Sequence, residues 1–122
     1  MTMYDIYRTL STVGFKRARS EALRAMVEGR ILHEARDEVD EKNLLVTGEV
    51  TAEQVARLLR ACRGTQYECT PHHFDSSIDV HVFKPEARVE PGADKKRWYI
   101  KLYLLEPDVW FISVHESKGD AP

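Results

Sequence analysis

Hydrophobic and polar positions follow a helical period along the first half of the chain. Apolar residues recur at three- and four-residue spacing, which is typical of helices with one buried face. The first such segment covers about 5–13 and ends at Gly14. A second runs from about Arg17 to Glu41, and Gly29 is the point at which we expect a break in it. Its predicted buried positions are Leu23, Val27, Ile31, Ala35 and Val39.

A third helix is predicted after the connecting segment "LLVTGEV". Thr51 and Gln54 have the spacing of a capping box, in which the threonine side chain accepts from a free helical amide and the glutamine reaches back to the threonine N–H. The apolar residues that follow share one helix face, and Gly64 ends the segment. Those residues are Val55, Leu58, Leu59 and Cys62.

After Gly64 the period changes from helical to alternating, which indicates strands with one buried face. We expect strands over about 66–69, 78–83, 98–105 and 109–115, with Pro85 ending the second and Pro91-Gly92 marking a turn. Helices followed by consecutive strands indicate an α+β fold. We therefore predict a single domain, 1–122, in which N-terminal helices (about 1–64) pack on one face of a small antiparallel sheet (about 66–117).

The last two strands form a hairpin whose register decides which side chains share a face, because a one-residue slip moves a side chain to the other face. With "EPD" as a three-residue loop, Leu105 pairs with Val109, Tyr99 with His115 and Lys101 with Ser113. A loop of two or four residues would place His115 on the core side, where an unpartnered imidazole costs a few kcal/mol. We therefore adopt the three-residue loop.

In this register, one face of the hairpin is wholly apolar and is expected to lie under the helices. It consists of Trp98, Ile100, Leu102, Leu104, Trp110, Ile112 and Val114. The opposite face carries Tyr99, Lys101, Tyr103, Phe111, Ser113 and His115. Two interpretations of that face remain open. It is either an ordinary solvent-facing sheet surface or a polar site on an aromatic floor.

The second interpretation is chemically specific. Aromatic rings stack on nucleic-acid bases, a lysine holds a phosphate, and a histidine moves protons near neutral pH. Such a set is sufficient for a ribonuclease that activates the ribose 2′-hydroxyl without a metal.

Composition narrows the function classes. The chain has 122 residues and a net charge of −2, whereas dedicated nucleic-acid binders are usually basic. Basic patches remain at Lys16–Arg19 and Lys95–Arg97, and an acidic run, "EARDEVDE", covers 34–41. No segment has the length and apolar character of a membrane helix or the pattern of a signal peptide. Two cysteines then fit reduced thiols in the cytoplasm.

Metal binding and thiol catalysis are the competing chemistries. Cys62, Cys69 and His72 could hold zinc, although structural zinc sites use shorter paired spacings. A buried cysteine more simply behaves as a small hydrophobic residue. Cys69 with a histidine could form a nucleophilic pair, but no motif to orient it accompanies these residues. We therefore predict no metal and no cofactor.

Two segments resemble a known family. "YECTPHHFDSSIDVHVFKP" and "WYIKLYLLEPDVWFISVHE" resemble the C-terminal half of MqsR-like toxins, within the RelE-like group of bacterial toxin ribonucleases. The shared features are an aspartate-hydrophobic-aromatic strand ("DVHVF"), a "YIK" strand, and a final strand that in the family ends in serine-aromatic-lysine or serine-aromatic-histidine and here ends in "SVH". The resemblance covers about 50–117, and the family usually has an aromatic residue where Val114 stands.

The resemblance implies an α+β domain that cleaves single-stranded mRNA, with or without the ribosome, and that a cognate antitoxin protein neutralises. By position, Tyr99 would contact the substrate or position the ribose, His115 would be the general acid or base, and Lys101 would contact the phosphate. His81, Lys84 and Tyr103 would be further substrate contacts. The alternatives are a non-catalytic protein-binding or regulatory module with the same fold and, third, a metal-binding regulator.

Overall fold

The computed structural model describes the backbone of residues 3–34 and 43–117, and the side chains from Gly14 onward within those ranges. The helices are α1 (Met3–Val27), α2 (Leu44–Thr47) and α3 (Ala52–Ala61), with a short 3-10 helix at Gly64–Gln66. The strands are β1 (Ile31–His33), β2 (Tyr67–Pro71), β3 (Asp79–Phe83), β4 (Glu86–Ala87), β5 (Lys96–Leu105) and β6 (Asp108–Glu116). The fold is α+β, as predicted.

The N-terminal region forms one helix where two were predicted. Gly14 lies inside α1, and the chain leaves the helix at Gly29, which has a φ of 76°. The predicted helix face is also wrong, because Val27 is 84% exposed and Ile31 lies in β1. Ala35 and Val39 lie outside the described residues. Among the described side chains of α1, the buried apolar ones are Phe15, Ala18, Ala22, Ala25 and Met26.

Helix α3 forms as its capping signal predicts. The Thr51 hydroxyl accepts from the Gln54 N–H at 3.1 Å, and the Gln54 side chain accepts from the Thr51 N–H at 3.0 Å. The helix ends at Ala61, with Cys62 as its C-cap residue. The predicted apolar face is confirmed, since Val55, Leu58, Leu59 and Cys62 are all buried.

The strands form a six-stranded mixed sheet, so the prediction of a purely antiparallel sheet is wrong. The order is β1-β6-β5-β3-β2, with β4 pairing with β5. Strand β1 runs parallel to β6, with Ile31 beside Val109 and His33 beside Phe111. The other pairings are antiparallel. Strand β1 had been predicted as part of the second helix, because Ile31 fits the four-residue spacing of the helix before it.

The β5–β6 hairpin has the predicted register at its open end but not at its tip. Leu105 pairs with Asp108, so the loop has two residues, and a register shift lies between Lys101 and Leu102. Ile112 is the extra residue in β6, and this β-bulge restores the pairing of Tyr99 with His115 and of Lys101 with Ser113. The loop prediction is therefore wrong, whereas the two pairings are confirmed.

The bulge also changes which side chains of β6 face the helices. Phe111, predicted on the polar face, is fully buried in the main core, which also contains the buried residues of α1 and α3. Trp110 and Ile112, predicted in that core, lie on the opposite face with Val80, Val82 and Tyr103. We call this opposite side of the sheet the second face. It has a small apolar cluster of its own, which the sequence did not predict.

The longest helix of the described chain is α1, and no described helix is both long and apolar enough to cross a membrane.

Candidate functional site

Tyr99 and His115 form a stacked pair on the second face, away from α1 and α3. They are direct neighbours across β5 and β6, and their rings lie 5.2 Å apart between centroids at an angle of 18°. Their strand neighbours Trp98, Ile100 and Val114 all point into the main core. The alternation of β5 and β6 therefore places the phenol and the imidazole on the outer side of the sheet, and both side chains are half-buried.

The hydrogen bonding of His115 determines which ring nitrogen is basic. Its Nδ1 lies 2.7 Å from the Glu116 carbonyl oxygen. A carbonyl only accepts, so Nδ1 carries a hydrogen and donates it. In the neutral ring Nε2 then carries the lone pair, and no described residue hydrogen-bonds to it. This is the tautomer in which Nε2 can accept a proton.

Two lysines lie on the same face as this pair, Lys101 on β5 and Lys84 directly after β3. Lys101 is paired with Ser113 and Val82, forms no ion pair with any described residue, and is half-buried. Lys84 follows Val82 by two residues and therefore lies on the same face, where its ammonium is 3.2 Å from the Glu68 carboxylate. Both ends of that ion pair are about half exposed.

Burial raises the pKa of Tyr99, the positive charge of Lys84 lowers it, and the negative charge of Glu68 raises it. The net direction is upward. The phenol therefore remains protonated at neutral pH and acts as a hydrogen-bond donor.

Tyr103 shares this face but is not accessible in the described structure. Only 6% of the residue is exposed, because its ring stacks on Trp110 at 5.8 Å and meets the edge of His72 at 5.1 Å. It belongs to the apolar cluster of the second face. The predicted substrate contact through Tyr103 does not fit this burial.

His81 is separated from the other predicted site residues by the sheet. It pairs with Leu102 of the main core, so its side chain lies on the helix side. Its Nδ1 is 2.7 Å from the Tyr67 hydroxyl, and the two rings stack. Burial lowers the pKa of His81, although Asp79 and Glu21 act in the opposite direction. The structure therefore does not bring His81 and Tyr99 together on one face of the sheet.

Glu34 and His72 form a second polar pair that the sequence did not single out as a pair. The His72 Nε2 lies 2.7 Å from a Glu34 carboxylate oxygen, and His72 is 7% exposed. The Tyr103 hydroxyl donates to the same oxygen at 3.4 Å. From the sequence, His72 was considered only as a possible zinc ligand and Glu34 only as part of the acidic run. The only available signal was their polar character, because their proximity depends on β1 joining the sheet.

Most basic residues of the two patches form ion pairs or hydrogen bonds within the protein. Arg17 pairs with Glu21 at 3.0 Å. Arg19 donates to the Cys62 carbonyl at 2.9 Å, and its guanidinium lies 4.7 Å from the centre of the Phe15 ring. In the second patch, all three basic residues pair with glutamates at 3.3–3.7 Å. These patches therefore offer little free charge to a polyanion.

The zinc and thiol alternatives gain no support from the geometry. Cys62 is buried, and burial raises the pKa of its thiol to about 11. Cys69 pairs with His81 on the helix side and is exposed as a residue, although partial burial of its thiol and the negative charge of Asp79 raise its pKa. His72 lies on the second face. No group of three potential metal ligands occurs in the described ranges.

Comparisons with known proteins do not assign the chain to a family. No family model matches the sequence, and no curated protein matches it significantly.

Proposed function

We propose that the protein is a toxin-like, metal-independent endoribonuclease that acts on single-stranded mRNA in the cytoplasm and is neutralised by a cognate antitoxin. The observation that carries this proposal is the stacked Tyr99–His115 pair, with Lys101 two residues along β5 on the same face. The resemblance of residues 50–117 to MqsR-like toxins supports the same reaction class.

The chemistry follows from the roles that these groups can take. His115 Nε2 removes the proton of the ribose 2′-hydroxyl, whose oxygen then forms a bond to phosphorus. The bond from phosphorus to the 5′ oxygen breaks, and the Tyr99 phenol protonates this leaving oxygen. Lys101 stabilises the charge that develops on the phosphate. The products are a 2′,3′-cyclic phosphate and a 5′-hydroxyl, and neither step requires a metal ion.

The test is incubation of the purified protein with single-stranded RNA in the presence of EDTA. We expect cleavage, with His115→Ala reducing the rate by about 100-fold or more, the usual contribution of a general acid or base. Tyr99→Phe keeps the stacked ring and removes only the hydroxyl, so a loss of rate there identifies the proton donor. His73→Ala is the matched control, because His73 is exposed in the loop between β2 and β3.

Absence of cleavage by the wild type, or equal cleavage by His115→Ala, would remove the enzyme proposal. A stable protein complex without nuclease activity would then favour the alternative, a protein-binding module of the same fold.

A further inference from the structure

A cleft of about 300 Å³ opens on the helix side of the sheet, where β5 begins and β6 ends. Residues of α2, α3 and the segment between β4 and β5 form its walls together with Trp98. Its volume is at the lower limit of small-ligand sites, so it can hold one or two amino-acid residues. The predicted function makes no use of this cleft.

Trp98 supplies the first reason to expect a ligand. The residue is 5% exposed and lines the cleft, yet its indole Nε1 is buried with no hydrogen-bond partner in the described part of the chain. Buried donors in folded proteins nearly always have an acceptor, since a buried donor without a hydrogen bond lowers stability. Because Nε1 has almost no accessible surface, an acceptor in the cleft could reach it only once the indole turns toward the cleft.

The charge of the cleft supplies an independent reason. Four carboxylates line it, against the single ammonium of Lys96. Lys96 is already paired with Glu116 at 3.3 Å, and Glu90 accepts from Gln54 at 3.4 Å. Glu49 and Asp94 form no ion pair with any described residue. The surplus negative charge favours a cation and repels nucleic acid.

We propose that this cleft binds a basic peptide segment. On binding, the Trp98 indole turns toward the cleft and its Nε1 donates to one backbone carbonyl of the segment. A lysine or arginine side chain of the segment lies between Glu49 and Asp94. A metal ion carries positive charge but cannot accept a hydrogen bond, and an alkyl polyamine carries no carbonyl. A basic peptide supplies both groups within the length of one residue.

The cleft and the Tyr99–His115 pair lie back to back across the sheet. Trp98 is paired with Glu116 in the register position next to Tyr99 and His115, and alternation directs the two pairs to opposite faces. A peptide in the cleft therefore leaves the second face open. The proposal does not depend on the ribonuclease proposal, and each can fail alone.

The experiment uses the two indole N–H resonances of the full chain in ¹⁵N NMR, assigned with Trp98→Phe and Trp110→Phe. The probe is acetyl-Gly-Arg-Gly-amide, titrated to about 10 mM at low ionic strength, so that millimolar affinity is measurable. We expect the Trp98 resonance to shift and saturate while that of Trp110 stays fixed. Acetyl-Gly-Glu-Gly-amide, the acidic control, should leave both unchanged.

A double variant tests the charge requirement. Glu49→Gln with Asp94→Asn should weaken binding of the arginine probe roughly threefold to tenfold, because each exposed ion pair contributes a factor of a few. Both side chains are exposed, so the fold should tolerate the change. Glu53→Gln with Glu68→Gln alters two exposed acids outside the cleft and should leave the affinity unchanged. An unmoved Trp98 resonance, an equal response to the acidic peptide, or undiminished binding by the first double variant would each overturn the proposal.

Discussion

At the scale of single residues, two histidines of the second face are held in opposite tautomers. His115 donates from Nδ1 to a carbonyl, which leaves Nε2 as the basic atom. His72 accepts at Nδ1 from the backbone N–H groups of Phe74 and Asp75, so its hydrogen is on Nε2 and points to Glu34. Both nitrogens of His72 are therefore engaged within the fold, whereas Nε2 of His115 has no hydrogen-bond partner among the described residues.

His81 gives a pH dependence of stability whose sign follows from its burial. Its folded-state pKa lies below the ordinary value of 6.5, so the unfolded chain binds its proton more readily. His81 therefore does not lower the free energy of unfolding above about pH 6.5. As the pH decreases from there toward the folded-state pKa, the free energy of unfolding falls. The contribution is at most about 1.4 kcal/mol per pH unit in that window. His81→Gln should remove this part of the loss, because a glutamine does not titrate.

Urea denaturation at pH 7.5 and 5.5 measures the effect, and the comparison is the change in unfolding free energy between the two values. Some dependence should remain in the variant, because burial lowers the pKa of His33 as well. The exposed His73→Gln is the matched substitution and should behave as the wild type does. An unchanged loss between the two pH values in His81→Gln would contradict this explanation.

At the scale of elements, α1 packs through small residues. Ala18 and Ala22 are 3% and 0% exposed, and alanines at this spacing let the helix axis lie close to the sheet. The predicted face was wrong because Leu23 and Val27 belong to a run of apolar residues at four-residue spacing, and that spacing alone suggested burial. Leu23 is only partly buried and Val27 is exposed.

This packing predicts a large effect on stability for one substitution on α1 and almost none for another. Ala22→Leu forces a larger side chain into a filled core and should lower the unfolding free energy by about 1–3 kcal/mol. Val27→Ala removes two methyl groups from an exposed site and should change it by less than about 0.5 kcal/mol. Thermal and urea denaturation of the two variants measure this difference. A reversed order would show that the helix packs through the face predicted from sequence.

The hairpin shows how far a sequence can determine register. Alternation and the cost of burying an imidazole correctly paired Tyr99 with His115. The same argument supplied the wrong loop, because a shorter loop plus one bulged residue gives the same pairing. Whether Phe111 or Ile112 enters the main core depends on how each side chain packs against α1 and α3, and no local pattern encodes that choice.

Strand β1 was beyond sequence reasoning for a different reason. Its three residues pair with β6, nearly 80 positions later in the chain. Ile31 fits both a helical spacing and a strand, and only the turn at Gly29 distinguishes them. The Glu34–His72 pair depends on this strand, so it too could not have been predicted.

At the scale of the whole molecule, the sheet separates two chemically different surfaces. The second face carries the stacked Tyr99–His115 pair and the lysines, whereas the helix side carries the acidic cleft around Trp98. Two neighbouring pairs of β5 and β6 face these surfaces: Tyr99–His115 faces the second face and Trp98–Glu116 faces the cleft. In this arrangement one hairpin contributes to both the proposed RNA-binding face and the proposed peptide-binding cleft.

Glu34 and His72 connect distant parts of this sheet and predict a difference between two glutamate variants. Glu34, directly after β1, reaches His72 beyond β2, at the opposite edge of the sheet. Glu34→Ala leaves the buried His72 N–H without that acceptor and should lower the unfolding free energy by about 1–3 kcal/mol. Glu68→Ala breaks an exposed ion pair on the same sheet and should cost less than about 1 kcal/mol.

Hydrogen exchange distinguishes a global from a local loss in these variants. Because the contact ties the β1 edge to the segment after β2, Glu34→Ala should accelerate exchange at the amides of β1 and around His72 more than in the middle of β5. Glu68→Ala should leave the β1 amides unchanged. Equal protection of β1 in both variants would mean that its pairing with β6 alone holds this edge in place, and that the Glu34–His72 contact adds nothing to the cohesion of the sheet.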